Sequence, residues 1–229
     1  MSTRTVTPIE RPQSLCDIAV ISIRDAIVSG AYQLGEPLSE VKLVESLGIS
    51  KTPIREALSI LRKEGLVQAV PHKGVFVFSL SASELVQLGN YRFVLESAAL
   101  DMAMSNDPEC LMKDLLHICA SMEKARNRKD TETYLRLDAA FHEAIFTHCG
   151  NQYLYDGSGF IKGKLSALRT HLSSHSSHME KSYSEHLAIA ESIRSGDVET
   201  ARSTLFRHVT RGERSYEYSV EDIAKVDND

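Results

Sequence analysis

The sequence predicts a mainly α protein in two parts: a small N-terminal helical unit closed by a β-hairpin, then an antiparallel all-α bundle of about six helices. Three observations carry this. Apolar residues recur at helical spacing through 15–65 and again from 81 to 217. The β-rich runs "LVQAV" and "VFVFS" flank Pro71-His72-Lys73-Gly74, a tight-turn sequence. From Ser81 onward no strand candidate appears. The expected division is 1–80, 81–217 and an acidic, disordered tail at 218–229.

Composition narrows the function classes. With 229 residues, 42% hydrophobic and 25% charged, the chain has the profile of an ordinary globular protein. It lacks a run of eighteen apolar residues that would cross a membrane. "MSTRTVTPIERPQS" has no apolar centre and does not read as a signal peptide. Cys16, Cys110, Cys119 and Cys149 are scattered with no CxxC pair, so reduced core thiols and a cytoplasmic location are expected. A net charge of −5 argues against a polyanionic partner, but the charge is uneven: residues 1–80 carry nine Lys/Arg against eight Asp/Glu, and the remainder seventeen against twenty-three. Lys51, Arg55, Arg62, Lys63 and Lys73 cluster within 50–77, a local basic patch suited to a docked polyanion.

The N-terminal elements follow in order. Residues 15–29 place Ala19, Ile23, Ala26 and Ile27 on one stripe and end at Gly30. Ser39 caps a short helix that stops at Gly48. Ser50 caps the next, where Pro53 is tolerated in the first turn. There Ile54, Ala57, Leu58 and Leu61 form a buried stripe, leaving Lys51, Thr52, Arg55, Ser59 and Arg62 outside. Cations on a helix N-terminus oppose its dipole, which suggests that something negative sits opposite them. Helix, helix, turn, helix and hairpin make a winged helix-turn-helix, whose second turn helix enters the DNA major groove. Ser50, Lys51, Thr52 and Arg55 are the candidate groove contacts, and His72, Lys73 and Gly74 the candidate wing contacts. The alternative for Arg55 is a surface pair with Glu56 or Glu45.

The bundle helices are expected at 81–104, 108–128, 130–148, 151–174, 180–195 and 197–217. Polar residues interrupt three of their apolar stripes. Asp138 and His142 lie with Tyr134, Phe141 and Ile145; His186 lies with Ile189, Ala190 and Ile193; His208 lies with Ala201, Leu205 and Val209. One carboxylate and three imidazoles therefore project toward one interior. A buried carboxylate without a partner costs several kcal/mol. A divalent ion satisfies all four side chains: zinc first, with nickel, manganese and iron as alternatives. The competing reading is core histidines bonded to backbone carbonyls. His171, His175 and His178 also fall at helical spacing, but among Ser and Thr, and read as a solvated helix end or loop. Arg92 shares a face with Leu88, Leu95 and Ala99, and Arg169 follows Leu165 and Leu168. Each is a candidate to fork onto a small organic acid beside the ion; for Arg92 the alternative is a structural pair with Glu96.

These residues resemble a known family. "LSEVKLVESLGISKTPIREALSILRKEGLVQAVPHKGVFV" closely resembles the winged-helix domain of GntR-type bacterial transcription regulators, over residues 15–78. Residues 81–217 resemble the FCD effector domain of the FadR-like branch, through "YRFVLE", "LDAAFHEAI", "GNQYL", "EHLAIAESIRSGDVETA" and "RHV". Six bundle helices rather than seven resemble its VanR-type subgroup. The resemblance implies a metal held by Asp138, His142, His186 and His208. It implies a small carboxylate effector that completes the metal's coordination and touches Arg92, with Arg169 a weaker transfer. It also implies a homodimer on a palindromic operator, with repression the commoner mode. One departure is Lys51, where the family usually has Arg; lysine lacks the bidentate fork, so operator preference is altered. The 171–178 histidines are outside the family pattern. Two rival functions are a direct metal sensor and, ranked last, a metalloenzyme in which the ion activates water.

Overall fold

The computed structural model describes residues 13–173 and 176–211, excepting the side chains of 176–178. The chain divides into two compact units between Phe78 and Ser79. No helix among the described residues is long and apolar enough to cross a membrane.

In the first unit, α1 (Leu15–Val28) opens with a capping box in which the Ser14 hydroxyl accepts from Asp17 N–H and the Asp17 carboxylate accepts from Ser14 N–H. Helix α2 (Glu40–Leu47) starts under the Ser39 hydroxyl and stops at Gly48, in the left-handed region at φ 64°. Helix α3 (Lys51–Lys63) buries Ile54, Ala57, Leu58 and Leu61, the stripe its spacing predicts. Ser50 stands at the N-cap but makes no side-chain cap hydrogen bond, so α3 lacks the expected hydroxyl cap. Arg24 reaches from α1 to Glu64 with two parallel bonds, Nε to Oε2 at 3.1 Å and Nη2 to Oε1 at 2.6 Å, tying α1 to the end of α3.

Strands β2 (Val67–Val70) and β3 (Gly74–Val77) pair antiparallel as the wing. A further strand, β1 (Pro37–Leu38), pairs with the other edge of β3 and gives the order β1-β3-β2. The hairpin turn puts His72 at φ 63°, unusual for a residue other than glycine, and Gly74 at φ 107°.

Among the described residues the second unit has six helices: α4 (Ala82–Asn106), α5 (Pro108–Asn127), α6 (Thr131–His148), α7 (Gln152–Leu172), α8 (Ser176–Ser195) and α9 (Val198–Thr210). Side-chain caps from Ser81, Asp107, Asp130, Asn151 and Asp197 start α4, α5, α6, α7 and α9. Leu100, Leu111, Leu115, Phe141, Ile145, Ile189 and Leu205 form the centre of its core. Helix α8 begins at Ser176, inside the segment expected to be solvated; His175 and the side chain of His178 lie outside the described residues, as does 212–229 with the expected acidic tail.

The cysteines are free, but only Cys119 and Cys149 are core thiols. Cys110 is exposed because it falls off the α5 stripe of Leu111, Leu115, Cys119 and Met122, and Cys16 sits half-buried at the edge of the α1 stripe.

Two glycines of the second unit have opposite energetics. Gly150 adopts φ 67°, and a Cβ there would stand 2.7 Å from Asn106 Nδ2, which donates to the Cys149 carbonyl. Gly157 lies within α7, and a Cβ there meets nothing within 4 Å. In urea unfolding of the full chain, Gly150→Ala is expected to destabilise by about 1–2 kcal/mol or more through left-handed strain and the displaced Asn106. Gly157→Ala is expected to stabilise by about 0.5–1 kcal/mol through helix propensity.

Candidate metal centre and adjoining cavities

Asp138 and His142 come from α6, His186 from α8 and His208 from α9, and all four are buried. Each offers one ligand atom, and those atoms lie within 4.8 Å of one another. His142 Nε2 is 3.1 Å from His208 Nε2 and 3.2 Å from His186 Nε2; Asp138 Oδ2 is 3.5 Å from His186 Nε2. Phe141 packs edge-on to His186 at 4.5 Å and to His142 at 5.6 Å between centroids.

The outward nitrogens determine what the inward ones can do. His142 Nδ1 is 2.7 Å from Glu96 Oε2, His208 Nδ1 is 3.0 Å from Glu185 Oε2, and His186 Nδ1 is 3.4 Å from the Ser182 hydroxyl. That hydroxyl donates in turn to Asp138 Oδ2 at 3.2 Å. These acceptors assign the ring proton to Nδ1 in each case and leave the Nε2 lone pairs pointing at one another. Burial drives all three imidazoles toward the neutral form, His186 down to about 3. Burial also opposes ionisation of Asp138, but the Arg169 guanidinium, with Arg92 behind it, outweighs it and holds the carboxyl well below the usual range. Three lone pairs and a carboxylate facing one point repel unless a cation lies between them. Nitrogens about 2.0–2.1 Å from a shared ion stand roughly 2.9 Å apart at right angles and roughly 3.3 Å apart at the tetrahedral angle, which brackets the 3.1 and 3.2 Å spacings of His142 Nε2 from His208 and His186, with Asp138 Oδ2 slightly wider at 3.5 Å from His186. The donor set therefore fits a divalent ion.

The arginines are both inside. Arg92 Nε donates to Glu96 Oε1 at 2.6 Å, so the structural pair anticipated from spacing exists, and Glu96 bridges Arg92 to His142. Burial raises the cost of ionising Glu96, but Arg92 and His142 overcome it and bring its pKa to about 2. Arg169 Nε lies against Asp138 Oδ1 off the hydrogen-bond line, so that oxygen makes no hydrogen bond. Arg92 Nη2 and Arg211 Nε are also buried without a hydrogen-bond partner.

Two cavities adjoin the cluster. One of about 80 Å³ is lined by Arg92, Asp138, Arg169, Ser182, His208 and Arg211 among leucines. Another, of about 280 Å³, has Glu96, His142, Glu143, Tyr155 and Lys162 in its wall. Arg92 and Arg169 line both. In the larger cavity Glu143 already accepts from Lys162 at 2.8 Å and from Tyr155 at 3.0 Å.

Sequence reasoning missed Ser182, Glu185 and Arg211. Ser182 sits one turn before His186 and Arg211 one turn after His208, so helical spacing could have found both. Glu185 is adjacent to His186 and lies off its stripe; only the approach of α9 to α8 brings it to His208.

In the first unit, Ser50, Lys51, Thr52 and Arg55 are exposed at the start of α3, and His72, Lys73 and Gly74 are exposed at the hairpin turn. Arg55 Nε pairs with Glu40 Oε2 at 2.8 Å rather than with Glu56 or Glu45. With Arg55 about two-thirds exposed, the pair is weak and exchangeable. His171 is half-buried near the end of α7 and is not among the four clustered side chains.

Comparison with known proteins gives a consistent result. Residues 19–77 match the bacterial regulatory proteins of the gntR family, and residues 87–211 match the FCD domain. The chain is 27% identical over 188 residues to the uncharacterized HTH-type transcriptional regulator YdhC of Bacillus subtilis (strain 168), covering 81% of this chain and 84% of that one. It is 25% identical over 187 residues to the HTH-type transcriptional repressor RspR of Escherichia coli (strain K12), covering 82% of each. A crystal structure of a GntR transcriptional regulator from Rhodococcus sp. RHA1 superposes with a TM-score of 0.75 at 20% identity, over 88% of this chain and 97% of that one, a likeness of fold.

Glu96→Ala strips Arg92 and His142 of their shared buried carboxylate. It is expected to lower unfolding stability by about 3–5 kcal/mol in urea titration, far more than an exposed pair such as Arg55–Glu40 would.

Proposed function

Starting from the premise that the chain belongs to the GntR family of bacterial regulatory proteins and is a DNA-binding transcription regulator rather than an enzyme, we propose that its operator affinity is controlled by a small carboxylate effector bound beside a divalent metal in the C-terminal bundle. The carrying observation is the set of three inward Nε2 atoms and a buried carboxylate, next to cavities lined by Arg92 and Arg169.

In this reading Asp138, His142, His186 and His208 hold the ion, zinc before nickel, manganese or iron. The bound ion supplies positive charge and open coordination positions. Glu96, Glu185 and Ser182 keep the three rings turned inward, and Arg92 and Arg169 receive the acid. Ser50, Lys51, Thr52 and Arg55 contact one half-site of a palindromic operator in the major groove, while His72, Lys73 and Gly74 contact backbone or minor groove at the wing. The working unit is a homodimer, which a palindrome requires. Repression is the mode named for the Escherichia coli relative and is the mode proposed here. Control requires that the effector bind the DNA-competent and DNA-incompetent states unequally. The two arginines that line the cavities beside the cluster favour an organic effector over the ion alone as the signal.

Arg55→Ala is expected to lose roughly 1–3 kcal/mol of specific operator binding in a mobility-shift titration, because breaking the weak Glu40 pair returns little. Unchanged affinity would remove Arg55 from the interface. Elemental analysis of purified protein is expected to find one divalent ion per chain, lost in His186→Ala; equal content in both proteins would remove the ion from this cluster.

A further inference from the structure

We propose that residues 155–160 of α7 are a gate over the 280 Å³ cavity, a stretch that unwinds between two fixed ends, and that Glu143 is the latch that holds it shut. The gate is independent of what the cavity binds.

The two halves of α7 are held very differently. Its buried residues are Ile161, Ala167, Leu168 and Leu172, so none of its first nine positions, 152–160, is buried. The bulkiest side chains there go to solvent: Tyr153 is 91% exposed and Phe160 63%. Leu154, half-buried against the core, anchors the start of the helix, and Ile161 anchors the far side of the stretch. Between those anchors the chain carries Gly157 and Gly159. A Cβ at either position meets nothing within 4 Å, so packing does not call for glycine, and each one weakens the helix. Ser158 weakens it further, because its hydroxyl bonds back to the Tyr155 carbonyl at 2.6 Å and competes for a backbone acceptor.

This weak stretch is also a cavity wall. Tyr155, Asp156, Ser158 and Gly159 line the larger cavity, with Ala139, His142 and other residues of α4 and α6 completing it. Helices α4 and α6 are pinned by fully buried residues such as Leu100, Phe141 and Ile145. The α7 stretch is tied across to α6 by polar contacts to a single oxygen: Glu143 Oε1 accepts from the Tyr155 hydroxyl at 3.0 Å and from Lys162 Nζ at 2.8 Å. Local opening is cheapest where little apolar surface is buried and the helix is intrinsically poor. Here both conditions fall on the same six residues. Unwinding them breaks the Tyr155 contact, leaves Leu154 and Ile161 in place, and opens the cavity to solvent without undocking the rest of α7.

The test combines hydrogen exchange with thiol labelling on the full-length chain. In exchange read by mass spectrometry, amides 156–160 are expected to exchange at least about a hundredfold faster than amides 139–146 of α6, whose opening requires the core to part. Ala139→Cys places a thiol in the cavity wall, and exposed Cys110 serves as the internal reference for a bulky fluorescein maleimide. The cavity thiol is expected to label more slowly than Cys110. Adding Gly157→Ala and Gly159→Ala is expected to slow both the labelling and the exchange of 156–160 by roughly tenfold, three- to fivefold per glycine. Glu143→Ala is expected to accelerate both, with Glu143→Gln in between. Exchange at 156–160 as slow as in α6, cavity labelling as fast as Cys110, or a labelling rate indifferent to the two glycines would each overturn the gate. Rates unchanged by Glu143→Ala would overturn the latch. If Ala139→Cys does not fold, exchange in the native chain and in the glycine variant still decides.

Discussion

Three neutral imidazoles turned nitrogen to nitrogen at 3.1 and 3.2 Å, with a buried carboxylate beside them, are the constraint on which the C-terminal unit is built. Like-oriented lone pairs do not converge by hydrophobic collapse. They are turned inward because each ring's other nitrogen is committed elsewhere, to Glu96, to Glu185 and to Ser182. Those partners are bound in turn by Arg92, by Arg211 and by Asp138. The polar interior is therefore an ordered network, whose members are worth more together than pairwise contacts suggest.

The helices that carry this network are ordinary in every other respect. Helices α6, α8 and α9 bury Phe141, Ile145, Ile189, Ala190, Ala201 and Leu205 on the faces that carry the histidines. The apolar contacts fix the backbones, and the backbones fix where four donor atoms meet. A site on packed helices holds its geometry better than one on loops. The winged unit is organised differently: Lys51, Arg55 and Lys73 stand exposed, and its core of Ile54, Leu58 and Leu61 presents α3.

What the sequence disclosed follows from how each feature is encoded. The α3 stripe was legible because four apolar residues repeat at the helical period. The four clustered side chains were legible for the complementary reason, as polar residues interrupting such stripes. Strand β1 was not, because two residues carry no periodicity and Pro37–Leu38 become a strand only by pairing with β3. The Arg55–Glu40 pair was missed because it depends on how α2 meets α3, which neither helix encodes alone. Cys110 shows the limit of reading burial from neighbours: residues beside it in sequence are core, but one position along a helix is a turn of about 100°.

Glu96 accepts from Arg92 with one oxygen and meets His142 with the other. No third group stands between the guanidinium in the cavity wall and the ring in the cluster. Altering either end therefore re-aims the carboxylate that the other relies on. The free-energy effects of substituting Arg92 and His142 must fall short of, or exceed, their sum. By linkage, whatever the cluster transmits to the cavity through this residue, the cavity returns in equal measure.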